Sequence, residues 1–213
     1  MMNHTLELIR KTGIVPVVVL DDAKDAKALG QALVEGGLPC AEVTFRTAAA
    51  EEAIRIMARE FPDLLVGAGT VLTMDQAKRA VDAGAKFMVS PGFDPQIVDF
   101  CLEKGITVTP GVATPTEIIM AMNKGRNVVK FFPAEPLGGL KMIKAIAAAF
   151  PEISFMPTGG ISAKNVGEYL AYDRIAACGG SWMVKKDLIR AGKFDEITAM
   201  VKEAAGIVRE IRG

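Results

Sequence analysis

Eight short runs of apolar, mostly β-branched residues recur along the whole chain, and their regularity is what most restricts how it can fold. They are Ile14 to Leu20, Ala41 to Phe45, Leu64 to Ala68, Phe87 to Ser90, Ile106 to Thr109, Val128 to Phe132, Ile153 to Pro157 and Ile175 to Cys178. Runs this short and continuous are expected of strands buried on both faces, as in parallel sheets covered by helices. Successive runs begin about 20 to 26 residues apart, which leaves room for one helix and two loops each time. The intervening segments carry apolar residues three and four apart, such as Ala26, Leu29, Leu33 and Val34, the spacing of one helix face. Asp94-Pro95, Thr73 with Gln76, and Thr114 with Glu117 supply helix N-caps, while Gly36-Gly37, Gly84, Gly105 and Gly125 stand where helices should stop.

Eight such units with no linker or low-complexity break predict an α/β fold, a single-domain (β/α)8 TIM barrel over residues 1–213. Met1 to Thr12 is expected to form a short N-terminal helix under the barrel, and Phe194 to Arg212 a long C-terminal helix that closes it. An open doubly wound sheet is the alternative. It is disfavoured because Gly67-Ala68-Gly69-Thr70 lacks the third glycine of a dinucleotide-binding turn.

Charge and composition exclude several function classes. The 25 Lys+Arg balance 25 Asp+Glu, so no basic face is available to displace counterions from a nucleic acid. No apolar stretch is long enough for a membrane span, and Glu7, Arg10 and Lys11 interrupt the N-terminus, which therefore does not read as a signal peptide. A cytoplasmic location is expected. Cys40, Cys101 and Cys178 are far apart and unpaired in spacing, which suits reduced thiols in the interior. The one histidine, His4, sits in a polar segment and is expected to be solvated. Without imidazole at a site, Ser-His-Asp triads and His-rich metal centres are ruled out. Proton transfer then falls to Glu, Asp, Lys or Tyr, and neither a metal nor another cofactor is expected.

Charged residues inside strands are the first candidates for chemistry, because reactive groups on a barrel come from strand ends and the loops after them. In Ala41-Glu42-Val43-Thr44-Phe45-Arg46 the period of two places Glu42, Thr44 and Arg46 on one face. Glu42 reads either as a general acid/base or as a structural partner of Arg46, and Arg46 suits a bidentate clamp on a substrate carboxylate. In Asn127-Val128-Val129-Lys130-Phe131-Phe132 a single lysine lies in an apolar run. Burial there disfavours the ammonium and favours a neutral amine able to attack a carbonyl; the plainer readings are a lysine reaching out to solvent or an ion pair with Glu42. Pro157-Thr158-Gly159-Gly160-Ile161-Ser162 and Cys178-Gly179-Gly180-Ser181-Trp182 follow the seventh and eighth strands, where glycine-rich loops bind phosphate or simply turn tightly. Trp182, Met120 and Met122 read as core or subunit contacts, and Asp21-Asp22 as a helix cap rather than a pair of metal ligands.

Taken in order along almost the whole chain, Glu42-Val43-Thr44-Phe45-Arg46-Thr47, Gly67-Ala68-Gly69-Thr70-Val71-Leu72, Pro110-Gly111-Val112-Ala113-Thr114-Pro115-Thr116-Glu117, Lys130-Phe131-Phe132-Pro133-Ala134-Glu135 and Pro157-Thr158-Gly159-Gly160-Ile161 resemble the 2-keto-3-deoxy-6-phosphogluconate aldolases. That family includes bifunctional 4-hydroxy-2-oxoglutarate aldolases. Phe45 stands where the family often has Leu, on the face expected to point away from the site. The resemblance implies a metal-independent class I aldolase, usually a homotrimer, acting on small 2-keto acids including a phosphorylated sugar acid. It matches Lys130 to the Schiff-base lysine and Glu42 to the general acid/base. Arg46 and Thr70 match carboxylate-holding positions, Pro91 and Phe132 the pocket lining, and Thr158 the Schiff-base end. Gly159, Gly160 and Ser181 match the phosphate-binding positions. The competing readings are a 2-keto-3-deoxy-6-phosphogalactonate aldolase, a phosphosugar isomerase or epimerase using the same loops, and a non-catalytic trimeric scaffold.

Overall fold

The computed structural model describes residues 4–213. Strands form at the first seven apolar runs and at the end of the eighth, with one more just after the fifth: β1 Ile14–Val18, β2 Cys40–Thr44, β3 Leu65–Gly69, β4 Phe87–Val89, β5 Thr107–Thr109, β6 Gly111–Val112, β7 Val128–Phe131, β8 Ser154–Pro157 and β9 Cys178–Gly180. All strand pairs are parallel. The strands make a six-stranded sheet in the order β5-β4-β3-β2-β1-β9 and a three-stranded sheet in the order β6-β7-β8. Single parallel bridges, Phe155 to Ile175 and Thr158 to Gly179, join the β8 segment to the β9 segment. Among the described residues nine strands stand against eight runs, because strand structure continues past the fifth run to Val112 and is divided at Pro110, which has no N–H to donate.

The last strand is displaced from its expected place. Ile175 to Cys178 was the predicted strand, yet only Ile175 bridges there, and the ladder to β1 runs through Cys178, Gly179 and Gly180. The two glycines therefore belong to the strand and not to a loop. A Cβ on Gly179 would overlap the Thr158 hydroxyl, and one on Gly180 would overlap the Trp182 ring. Close packing, not a turn, requires glycine at both positions.

Helices alternate with the strands. Those that matter below are α1 His4–Thr12, α2 Ala26–Gly36, α3 Ala50–Glu60, α4 Met74–Asp82, α5 Pro95–Glu103, α6 Pro115–Asn123, α7 Gly139–Ala147, α8 Val166–Leu170, α9 Lys186–Arg190 and α10 Phe194–Arg212. The predicted C-terminal helix matches α10; the predicted N-terminal helix matches α1 from His4 onward, and residues 1–3 lie outside the described residues. Asp94 caps α5 through the amides of Gln96 and Ile97, with Pro95 in the first turn. Thr114 and Glu117 complete a reciprocal capping box on α6. At α4 the box is only half made: Thr73 accepts from the Gln76 amide, but Gln76 Oε1 takes the amide of Leu72 instead. Among the described residues, no helix is long and apolar enough to cross a membrane.

Alternation along the strands divides the apolar residues into two clusters. Ile14, Val18, Ala41, Val43, Val129 and Phe131 pack with the helices. The opposite faces, with Val15, Cys40, Leu65, Phe87, Val89, Met156 and Ala177, gather around Ile9 of α1. Two residues further along these second faces lie Val17 and Glu42, and β7 presents Lys130 between the outward Val129 and Phe131. The interior is thus apolar at the α1 end and acquires charge towards the strand C-termini. Arg212 secures the α1 end, donating to the carbonyls of Leu170, Ile175, Ala176 and Arg10.

Candidate active site

Lys130 and Glu42 meet inside the fold. Their side chains are 3% and 0% exposed, and Lys130 Nζ lies 3.3 Å from Glu42 Oε1. The second carboxylate oxygen, Oε2, is buried and hydrogen-bonds to no other described group. Lys130 does not reach out to solvent, and the partner of Glu42 is Lys130 rather than Arg46. Room for the carboxylate comes from β3: a Cβ on Gly69 would overlap Glu42 Oε1. The glycines of Gly67-Ala68-Gly69, unsuited to a dinucleotide turn, are explained by this approach and by the Phe87 ring packed on Gly67. The Phe132 ring lies 5.3 Å from Lys130 Nζ, so the amine faces one carboxylate and one aromatic surface.

Arg46 follows β2, is exposed, and donates from Nε to Thr70 Oγ1 at 3.2 Å. Thr70 follows β3 with φ 53, the non-glycine residue of positive φ among those described. A β-branched side chain in the left-handed region is strained, and such strain collects at functional sites. Thr44, the third polar residue of the β2 face, is instead occupied by the backbone, donating to the Val18 carbonyl at 2.9 Å. Pro91 abuts Gly111, where any Cβ would strike the Pro91 carbonyl, and Gly111 pairs in register with Lys130.

A cavity of about 330 Å³ opens at the strand C-termini, lined by Arg46, Phe132, Thr158, Gly159, Gly160 and Ser181 among others. Six residues from four separate segments of the predicted site thus face one space. Its walls also contain Ile161, Gly179 and Gly180 of the two glycine-rich segments, and Val17 and Val19, which sequence reasoning did not assign to the site. The available signal for Val17 and Val19 was their place at the C-terminal end of the first apolar run. Glu42, Lys130, Thr70 and Pro91 are not among the lining residues; the first two are buried, and Thr70 connects to the cavity through Arg46. The Thr158 hydroxyl is buried without a hydrogen-bond partner among the described residues. A larger cavity, about 660 Å³, lies by α1 at the opposite strand ends, where His4 is exposed, and contains none of the predicted residues.

The glycine loop after β8 is arranged for an anion. Gly159 and Gly160 have φ 98 and 82. Their carbonyls are held from behind, Gly159 O by the Glu135 amide at 3.0 Å and Gly160 O by Asn165 Nδ2 at 3.0 Å. Among the described residues, no hydrogen bond uses the amides of Gly159 and Gly160, which leaves both donors open to a ligand. Asp22 caps the turn after β1 by accepting from the Lys24 amide, and Asp21 binds Lys186 and Arg190, each at 2.7 Å. Among the described residues, no group of three or more His, Cys, Asp and Glu side chains could hold a metal ion.

Comparison with known proteins shows which family the chain is similar to. Residues 6–200 match the family described as "Aldolase: KDPG and KHG aldolase". The chain is 49% identical over 207 residues to a 2-dehydro-3-deoxy-phosphogluconate aldolase of Treponema pallidum, covering 97% of this chain and 99% of that protein. It superimposes with a TM-score of 0.90 and 40% identity on the 2-keto-3-deoxy-6-phosphogluconate aldolase of Zymomonas mobilis solved with 3-phosphoglycerate, covering 97% of each chain. A KDPG aldolase of Legionella pneumophila, solved with pyruvate captured as a covalent carbinolamine, is similar with a TM-score of 0.89 and 39% identity, over 93% of this chain and 96% of that one.

Proposed function

The chain belongs to the KDPG and KHG aldolase family, and from that membership we propose that it cleaves 2-keto-3-deoxy-6-phosphogluconate reversibly into pyruvate and glyceraldehyde 3-phosphate through an imine on Lys130. The observation that carries this reading is the buried Lys130–Glu42 pair, 3.3 Å apart, beneath a cavity with free amide donors at its far end.

The chemistry follows from the placement. Glu42 can accept a proton from Lys130, leaving a neutral amine that adds to the C2 ketone. Loss of water gives a protonated imine, which is an electron sink. Glu42, directly or through a water, then takes the proton of the C4 hydroxyl; the C3–C4 bond breaks, and its electrons form an enamine as glyceraldehyde 3-phosphate leaves. Protonation of the enamine at C3 and hydrolysis of the imine release pyruvate and free Lys130. Arg46 holds the 2-keto acid carboxylate with Thr70 keeping its guanidinium in place, Phe132, Pro91 and Thr158 shape the reacting end, and Gly159, Gly160 and Ser181 receive the phosphate. The same steps convert 4-hydroxy-2-oxoglutarate to pyruvate and glyoxylate, since the reacting atoms are identical.

Three further points belong to this reading. The two sheets close as one (β/α)8 barrel over the whole chain, supported by the two β8–β9 bridges and by β5 and β6 being halves of one strand. The protein works as a homotrimer, supported by Leu72 at 56% exposure and by Ile119 and Met120 of α6, apolar surface that calls for a cover. It resides in the cytoplasm, in keeping with three free, buried cysteines.

Borohydride reduction in the presence of pyruvate tests the central claim. A stable adduct on Lys130 is expected, and none on Lys130→Arg, whose guanidinium stays protonated. An adduct mapped to another lysine removes Lys130, and no adduct favours an isomerase or a scaffold.

A further inference from the structure

Glu135 and Tyr169 touch none of the reacting atoms, yet their contacts converge on the back of Gly159-Gly160. The Glu135 amide donates to Gly159 O at 3.0 Å. Its Cβ and Cγ fill the space a side chain at position 160 would need, 2.5 and 2.6 Å from where that Cβ would lie. Its carboxylate Oε1 accepts a hydrogen bond from the Tyr169 hydroxyl. Tyr169, on α8, is 2% exposed, and both polar groups rest against Gly139 at the start of α7: a Cβ there would lie 2.8 Å from Glu135 Oε1 and 2.9 Å from the Tyr169 oxygen. Burial, reinforced by the adjacent carboxylate, pushes the phenol well above its ordinary range, so Tyr169 remains a donor.

A carboxylate beside a loop that binds a phosphate dianion works against binding unless it is turned away and kept there. We propose that Glu135 and Tyr169 are positioning residues for the phosphate end of the substrate. The tyrosine hydroxyl fixes the Glu135 carboxylate behind Gly160, while the Glu135 backbone holds the Gly159 carbonyl away from the cavity, so that the loop presents amides to the ligand and keeps its nearest negative charge behind them. The inference rests on the reading that Gly159 and Gly160 receive the phosphate. It differs from simple packing in what it predicts for charge. Tyr169→Phe keeps the ring and releases the carboxylate, whereas Glu135→Gln keeps an acceptor for the hydroxyl and removes the charge.

The test compares wild type, Tyr169→Phe, Glu135→Gln and the double variant, measuring kcat and KM for the phosphorylated sugar acid and for 4-hydroxy-2-oxoglutarate, and borohydride trapping with pyruvate. Tyr169→Phe is expected to raise KM for the phosphorylated substrate by about fivefold, with kcat, the shorter substrate and trapping changed by less than about twofold. Glu135→Gln should stay close to wild type, and adding it to Tyr169→Phe should recover part of the loss. An unchanged KM in Tyr169→Phe, or equal losses in all three assays, overturns the proposal. If Tyr169→Phe does not fold, Glu135→Asp, which keeps the charge but withdraws it from the Tyr169 hydroxyl, is expected to raise the same KM, and failure to do so overturns it equally. A wild type that shows no preference for the phosphorylated substrate overturns the phosphate reading itself, and the positioning role with it.

Discussion

Lys130 and Glu42, 88 residues apart in sequence, share one hydrogen bond of 3.3 Å in a setting that leaves Glu42 Oε2 without a donor among the described residues. Two charges taken out of water recover little stability from each other, because the desolvation penalty is comparable to the attraction. Packing alone gives no reason to keep this pair. Its geometry does give a reason: a proton has a short path from amine to carboxylate, and Oε2 remains able to accept another from a substrate hydroxyl.

Glu42→Gln should therefore form the borohydride-trapped pyruvate adduct more slowly, since the amine loses its proton acceptor, but still form it, while losing turnover. General acid/base groups contribute about 10² to 10⁴-fold, and a loss of that order is expected in cleavage and in exchange of the pyruvate methyl protons. Turnover near wild type would show that the carboxylate serves only as a counter-ion to Lys130. Circular dichroism would check that the variant folds.

The strain at Thr70 makes a second expectation. Left-handed geometry at a β-branched residue costs about 1 to 3 kcal/mol, so Thr70→Gly should not lower the melting temperature. It should nevertheless weaken binding of the 2-keto acid, because Arg46 loses its hydrogen-bond partner. The pyruvate concentration giving half-maximal trapping is expected to rise by about threefold or more, and Thr70→Ser should restore it. An unaltered concentration dependence in Thr70→Gly would count against the link between Arg46 and Thr70.

Ser181→Asp places a carboxylate at the cavity that also contains Gly159 and Gly160. Repulsion of the phosphate should lower kcat/KM for the phosphorylated substrate by about tenfold or more, equivalent to roughly 1.4 kcal/mol. 4-Hydroxy-2-oxoglutarate, with a single distal charge, should lose less, and pyruvate trapping should be nearly unaffected. No loss for the phosphorylated substrate would take Ser181 out of the site.

Stability should fall on the alkaline side. Burial pushes the Cys101 and Cys178 thiols up to about 12, and Cys40 and Tyr169 shift in the same direction. An unfolded thiol releases its proton from 9.0 upward while the folded chain retains it, so the unfolded state binds fewer protons in that window. The contribution is complete below pH 9 and drains away as pH rises towards 12. Urea midpoints at about pH 8, 10 and 11 should decline in that order, and the native thiols should resist alkylation at about pH 8. A flat midpoint across this range would contradict the burial of the three thiols.

The repeating strands and helices, the caps at Asp94 and Thr114, the polar face of β2 and the isolated Lys130 were all legible in the amino-acid order, because each depends on spacing within one segment: a period of two or 3.6, or a cap three residues from its amide. The pairing of Glu42 with Lys130 stood only as one reading beside a partnership with Arg46, and the pairing of Arg46 with Thr70 was not legible, since both depend on the register and twist of strands far apart in the chain. The same holds for the glycines. Gly67-Ala68-Gly69 fitted no dinucleotide turn and Gly179-Gly180 read as a phosphate loop or a tight turn; the need for glycine emerges only where a neighbouring strand brings Glu42 against Gly69 and Thr158 against Gly179. Local periodicity decides which face a side chain takes; only the assembled sheets decide which side chains meet there, because contact across a fold is set by packing that no single segment encodes.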